Sequence, residues 1–377
     1  MNILFIEKNL SPTNGGIERV THVLYKEFRK KGISTYICYY ANDDAIVPES
    51  DKFQIPIEDD VISTEKKLLE IIEKLNINII ILQNYHYKKF KNLYARIKEK
   101  TNIKLLAVMH HNPDLYINKD KFGLTFNKVY FRDYIKTYYY YFHNKYKDMH
   151  LNMYEIADKY ILLAPQYINT FKKLYKVPTG NLATIGNPCP NVPLTNYADK
   201  ENIVVIVSRM DEQQKRISKA IKLWEELTKS NNSNNWKLYI VGSGPNLNDY
   251  KKMAANIPDI VFTGKTQDPN YFYKKAKIFL MTSMWEGLSM SLIEAMKHGC
   301  VPICYNSFDS VYDTISDSRN GYIIEYNDKT MFINKLKYLI KNPEELEKMS
   351  ALAIEDTNKK YNTDIIVEKW INLFYSL

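Results

Sequence analysis

The sequence predicts an α/β fold made of two doubly wound, parallel-sheet domains in tandem. Short apolar runs of strand length alternate with amphipathic helical patterns, the alternation halts once at a proline-rich stretch mid-chain, and it then restarts. A chain of 377 residues, 45% of them hydrophobic, is long enough to bury two ordinary cores.

In the first half the runs are ILFI (3–6), STYICYY (34–40), INIIIL (77–82), IKLLAVM (103–109) and YILLA (160–164). A helix follows the first of them, its apolar stripe read as Ile17, Val20, Val23, Leu24 and Phe28, with Gly32 placed to end it. The stretch GNPCPNVPL (186–194) breaks the pattern and reads as an interdomain linker. Beyond it come IVVIVS (203–208), WKLYIVG (236–242), DIVFTG (259–264), KIFLMTS (277–283) and VPICY (301–305). The tail from Asp364 to Leu377 is an amphipathic helix whose apolar residues Ile365, Ile366, Trp370, Ile371, Phe374 and Tyr375 must pack on something. The expected domains are therefore residues 1–188, completed by a C-terminal helix at 362–377, and residues 195–358. Ligands of such sheets bind outside the carboxyl ends of the strands, so functional residues are sought there.

The opening MNILFIEKN lacks the long apolar region, basic lead-in and cleavage site of a secretory signal, and no run approaches the roughly 20 apolar residues that span a bilayer. A cytoplasmic protein is expected. Cys38, Cys189, Cys300 and Cys304 are scattered without CxxC spacing, which argues against a disulfide framework or a structural zinc site. The net charge of +9 fits nucleic acid, an anionic membrane or an anionic small substrate equally well. Its most biased segment, Tyr87–Lys147, interleaves lysine, arginine and tyrosine. Such a composition suits the headgroup region of an anionic membrane, so peripheral attachment is one reading and a solvated helical face the other. Single-stranded nucleic acid also takes basic and aromatic residues, but no nucleic-acid motif accompanies them, and no nucleic-acid partner is expected.

The segment MTSMWEGLSMSLIEAMKHGCVPI (281–303) carries the most chemistry. A strand ends near Ser283 and a helix starts near Ser289, with Glu286 in the loop and Glu294 inside the helix. The amides of Gly287, Leu288 and Ser289 at that helix start form a ready anion site. A carboxylate on ribose hydroxyls, amides on a diphosphate and a second carboxylate on sugar hydroxyls would together hold a nucleotide sugar. The plainer reading makes Glu286 a charge favoured by the helix dipole and Glu294 part of a solvated face. In SRMDEQQKRISKAIKLW (208–224), Arg209 and Lys215 fall in the loop after a strand, where a planar fork and a mobile point charge suit phosphate oxygens, whereas Arg216 and Lys219 read as surface charge. In SPTNGGIERV, Gly15 and Gly16 lie between the first strand and its helix and allow close approach of a ligand. GlySerGly at 242–244 is only a fragment of a dinucleotide fingerprint. His110 and His111 end the strand LLAVM, where a side chain projects toward ligand. No AspXaaAsp triplet, P-loop or GxSxG elbow is present.

These residues resemble a family. EGLSMSLIE looks like the glutamate-seven-residues-glutamate motif of the retaining, two-domain, GT-B-fold glycosyltransferases of family 4, the glycosyl transferases group 1. NGGIERV, VMHHN, LLAPQY, IGNPCP, SRMDEQQKR, VGSGP, FTGKTQDP and KWINLFYSL resemble that family's other segments in the same order, covering nearly the whole chain. The resemblance implies two Rossmann-like domains facing a cleft, the first on the acceptor side and the second binding the donor. It assigns ribose hydroxyls to Glu294, the diphosphate to Arg209 and Lys215, donor sugar and phosphate to the amides of Gly287, Leu288 and Ser289, and sugar hydroxyls to Glu286. It brings Gly15 and Gly16 to the diphosphate and His110 to the reacting carbon, with His111 the rival. Two departures stand out: Leu288-Ser289-Met290 where the family often has phenylalanine, glycine or proline, and Ala164 where it often has serine.

The implied activity is metal-independent transfer of a sugar, with retention, from a nucleotide sugar to a glycan or lipid-linked sugar in surface polysaccharide or glycolipid synthesis. No cofactor is implied, and a UDP-sugar is favoured over a GDP-sugar. The competing readings are a non-catalytic, nucleotide-sugar-binding partner subunit of another transferase and an epimerase of the same fold.

Overall fold

The computed structural model describes residues 1–11, 15–41, 47–56, 61–84, 90–115, 145–193, 195–230 and 235–377. The chain forms two compact units, Met1–Pro188 with Asp364–Leu377, and Cys189–Thr363.

The first unit holds β1 (Asn2–Glu7), β2 (Ser34–Tyr39), β3 (Lys52–Gln54), β4 (Ile79–Leu82), β5 (Lys104–Met109), β6 (Lys159–Leu162) and β7 (Leu182–Thr184), in the order β3-β2-β1-β4-β5-β6-β7. Every pairing is parallel. Parallel strands carry helices on both faces, which is why ILFI and IIIL are apolar without alternation and buried throughout. The second unit holds β8 (Glu201–Val207), β9 (Lys237–Val241), β10 (Ile260–Gly264), β11 (Ala276–Met281), β12 (Val301–Asn306) and β13 (Tyr322–Glu325), in the order β10-β9-β8-β11-β12-β13, again all parallel. The strand order reverses between β1 and β4 in one unit and between β8 and β11 in the other. Those are the positions where a doubly wound sheet opens a crevice for ligand.

The helix Gly16–Lys30 is turned from the stripe expected of it. Its buried residues are Glu18, Val20, Thr21, Leu24, Tyr25 and Phe28, while Ile17 and Val23 stay partly exposed. The rotation brings two polar side chains, Glu18 and Thr21, inward beside the end of β1. Gly32, at φ +76°, closes the helix, and the Ile33 amide returns to the Phe28 carbonyl at 3.0 Å. The tail helix Thr363–Tyr375 buries Ile366, Val367, Trp370 and Phe374. Phe374 meets Phe28 edge-on at 5.4 Å, and Phe28 stacks on Phe5 at 6.1 Å. Tyr375, expected on that apolar face, is 80% exposed.

The linker is tied down within the second unit. The Cys189 amide donates to the Tyr361 carbonyl at 2.9 Å, and Cys189 forms a parallel bridge with Asn362, so the two segments that join the units lie side by side. Lys297, 2% exposed, donates to the carbonyls of Cys189 (2.7 Å) and Pro190 (3.0 Å) and to Asn191 Oδ1 (3.3 Å). The four cysteines are buried thiols. Among the described residues no helix is long and apolar enough to cross a membrane. Most of the Tyr87–Lys147 segment, at 87–89 and 116–144, lies outside the described residues.

Candidate functional site

In the second unit the candidate residues gather at the carboxyl ends of β8, β9 and β11. After β8 the chain turns into a short helix, Glu212–Lys215, capped by the Asp211 carboxylate, which accepts from the amides of Gln213 (3.0 Å) and Gln214 (3.4 Å). The loop after β9 lies directly against this turn. Gly242, at φ +134°, leaves room for a Cβ only 2.0 Å from the Ser208 carbonyl oxygen, and Gly244, at φ +158°, only 2.5 Å from that of Met210. The GlySerGly pair is thus required by the packing of two loops against each other, and the Met210 amide seals it on the Ser243 carbonyl at 2.9 Å.

The loop after β11 is stitched to the same turn. The Met284 amide donates to the Gln214 carbonyl at 2.7 Å, Gln214 Nε2 donates to the Trp285 carbonyl at 3.2 Å, and Thr282 Oγ1 donates to the carbonyls of Lys215 (3.2 Å) and Arg216 (3.0 Å). This brings Lys215 and Glu286 together, Nζ to Oε1 at 2.6 Å, with side chains 15% and 8% exposed. Such a charge-assisted bond in a poorly solvated place is strong, and it uses one of the three ammonium donors. Behind the pair, the Cys304 thiol is held well above its usual range by burial and by the Glu286 carboxylate.

Arg209 stands beside the pair with its guanidinium 66% exposed, bonded to Gln214 Oε1 at 3.2 Å and 3.6 Å from Asp211 Oδ2. Arg216 departs from the reading as surface charge. It sits in a left-handed conformation at φ +50°, its side chain only 18% exposed and within 4.0 Å of Glu212. Gly287, Leu288 and Ser289 lead into the helix Met290–Lys297, whose cap, Ser289, makes no side-chain capping bond. Glu294 is half-buried within that helix and accepts from the Tyr273 hydroxyl at 3.4 Å. Tyr273 is fully buried, and its ring stacks on His298, which burial holds down to about 4 and so keeps neutral.

In the first unit Gly15 caps the helix Gly16–Lys30 in extended backbone, and a Cβ on it would lie 2.5 Å from Glu18 Oε2. The Glu18 carboxylate therefore folds back over the helix start, where Asn9 Nδ2 donates to it at 3.3 Å. Gly16 faces open space, with nothing within 4 Å of its missing Cβ. His110 and His111 take different directions. His110 Nε2 lies 2.5 Å from Gln83 Oε1 at the end of β4, while His111 packs edge-on against buried His150 at 4.9 Å with its Nδ1 3.1 Å from the Asn112 carbonyl.

Glu7, Glu18, Gln83, Tyr273 and Lys297 were not singled out from the sequence. The only signal for Glu7 and Gln83 was a polar residue directly after a strongly apolar run, and Glu18 showed only as an acidic residue in the first turn of a helix. A lone tyrosine or lysine in a helix carries no such mark.

Two parallel-sheet units of this topology are the GT-B fold, and residues 195–356 match the family described as glycosyl transferases group 1. The matched residues, most of the second unit, are a glycosyl transferases group 1 domain within that fold. It is 25% identical over 370 residues to an uncharacterized glycosyltransferase of Haemophilus influenzae, spanning 94% of this chain and 95% of that one. It is 32% identical over 199 residues to the poly(ribitol-phosphate) alpha-N-acetylglucosaminyltransferase of Staphylococcus aureus, covering 52% of this chain but only 40% of that protein. Among solved structures, HepE of Anabaena in complex with UDP superposes with a TM-score of 0.77 over 100% of both chains at 13% identity, a likeness of fold.

Proposed function

We propose that the protein is a retaining, metal-independent glycosyltransferase that moves a sugar from a UDP-sugar to a surface polymer or lipid-linked glycan at the cytoplasmic face of a membrane. The observation that carries the donor site is the Lys215–Glu286 pair beside Arg209 and the start of the helix Met290–Lys297. In the donor complex Arg209, the two remaining Lys215 donors and the helix start face the diphosphate, while Glu286 and Glu294 take sugar and ribose hydroxyls. As the sugar–phosphate bond breaks, these cations stabilise the departing diphosphate, the role a divalent ion fills in other transferases. Removing one such contact costs about 3 kcal/mol of barrier, roughly a hundredfold in rate.

UDP in the HepE complex supports the choice of base, and the poly(ribitol-phosphate) acceptor in the name of the Staphylococcus relative supports a surface polymer. The α linkage in that name is what retention gives from an α-linked donor. The same reading gives sugar contacts to His110 and the diphosphate to Gly15 and Gly16. Thermal unfolding of the parent and of Arg209→Ala and Glu294→Ala against UDP, GDP, ADP and their sugars tests this, since a ligand of the folded state raises its stability. Stabilisation of the parent by UDP compounds alone, lost in both variants, is expected. No shift with any nucleotide would overturn the donor site, whereas a shift without turnover would leave the non-catalytic, nucleotide-sugar-binding subunit as the better account. Co-sedimentation with anionic vesicles tests the membrane site, and an absence of salt-sensitive binding would remove it.

A further inference from the structure

At the carboxyl edge of the first sheet three polar side chains stand in a row. Glu7 ends β1, Gln83 follows β4, and His110 follows β5. Ile6 pairs with Leu82, and Leu82 with Ala107, so Glu7, Gln83 and Val108 are at one level across adjacent strands. Side chains at matched positions of parallel strands point to the same face, and His110 lies two residues beyond Val108, so all three share that face. The Gln83 amide, donating to the Ile6 carbonyl at 3.0 Å, locks the first two side by side.

Two atoms of the row lack partners among the described residues. Glu7 is 1% exposed and its Oε2 has no hydrogen-bond partner, the Thr21 hydroxyl that faces its carboxyl being likewise unmatched; Gln83 is 2% exposed and its Nε2 has none. Buried polar atoms without partners are uncommon because each loses its water for nothing in return. Two in neighbouring positions beside the strand-order reversal, where this class of sheet binds ligand, mark a place built for polar groups brought from outside. His110, half-buried, opens the row to solvent.

We propose that Glu7, Gln83 and His110 form a sugar-binding row, in which Gln83 orients His110 and, with the Glu7 carboxyl, meets hydroxyls of the transferred or accepting sugar. The proposal rests on the transferase reading and adds Glu7 and Gln83 to it. Gln83 Oε1 accepts from His110 Nε2–H, which fixes the tautomer and the ring orientation of His110. Gln83 Nε2 supplies a donor. Burial pushes the Glu7 carboxyl up to about 8, with the Glu18 carboxylate adding to the rise and the Thr21 hydroxyl opposing it. At neutral pH Glu7 therefore both donates and accepts, as a sugar hydroxyl does. Gln83 is a positioning residue and Glu7 a binding residue.

The test is steady-state UDP release by the full chain from UDP-glucose, UDP-galactose or UDP-N-acetylglucosamine, with thermal unfolding in the presence of UDP run alongside. Glu7→Leu and Gln83→Leu remove the buried polar atoms at similar volume. Each is expected to keep the UDP-induced thermal shift, to unfold at or above the parent temperature, and to lose about tenfold or more in kcat/KM. Glu7→Gln, which restores a donor and an acceptor, recovers most of the Glu7→Leu loss. Gln83→Glu keeps the oxygen against His110 but places a carboxylate there, and it moves the rate-against-pH profile upward, a change that a packing role does not produce. This second pair also serves where a leucine variant fails to fold. Leucine variants with parental rates, or a Gln83→Glu profile superposable on the parent, overturn the proposal and leave the transferase standing. A parent that neither binds UDP nor releases it from any of the three sugars overturns both.

Discussion

Cutting the ion pair between Lys215 and Glu286 separates what it does for stability from what it does for the donor. The two charges lie 2.6 Å apart with 15% and 8% of their side chains exposed, so neither Lys215→Met nor Glu286→Gln leaves its partner well hydrated. Breaking a fully buried pair costs about 3–5 kcal/mol, and the residual exposure here brings the expectation down to about 2 kcal/mol for each single change. In a unit of this size that lowers Tm by about 4–8 °C. The double substitution removes both charges and recovers at least half of the loss, giving a coupling of about 2 kcal/mol in a double-mutant cycle measured by thermal or urea unfolding. Turnover behaves differently. All three variants lose about a hundredfold in rate, because neither the cation for the diphosphate nor the carboxylate for the sugar survives in the double variant. Additive unfolding energies, within about 0.5 kcal/mol, would refute the pair as an energetic unit. A double variant with parental turnover would refute its place in the site.

Three further outcomes follow from the geometry. Gly242→Ala forces a Cβ onto the Ser208 oxygen at φ +134° and should lower Tm by about 6–12 °C, on the order of 3 kcal/mol, whereas Gly16→Ala, facing open space, should leave Tm within about 2 °C; calorimetry on both checks the contrast. Glu7 carries a folded-state pKa above its unfolded value, so its contribution is fully present below pH 4.5 and is lost as pH rises toward about 8. Urea unfolding across that window should show a decline of up to about 5 kcal/mol that Glu7→Leu flattens. Lys297→Met keeps the volume but leaves the Cys189 and Pro190 carbonyls without their buried donor, and should cost about 2 kcal/mol and speed proteolysis at residues 189–191.

Nine of the ten strands read from the sequence are central and were legible because burial on both faces demands continuous apolar runs; the tenth, β10, is an edge strand with an apolar run of its own, and all ten exist with ends displaced by a residue or two. The strands β3, β7 and β13 were not, since edge strands of three or four residues need no apolar face of their own. The helix start at Ser289 was readable from the strand-to-helix change of period, and the closing helix from its apolar spacing. The contact between Lys215 and Glu286 was not readable, because it spans 71 residues and depends on how the loops after β8 and β11 are stitched together. The same holds for Glu7 and Gln83, whose alignment is set by strand order alone.

The side-by-side crossing at Cys189 and Asn362 makes the second unit an insertion within the first, which is finished only by the last helix of the chain. During synthesis the inserted unit is complete while that helix is still inside the ribosome. Phe28 and its neighbours must wait, uncovered, until Phe374 emerges. Truncation from the C-terminus, even by one helix, should therefore cripple the first unit and spare the second, and the newborn chain presents its sticky surface at its oldest end rather than at its newest.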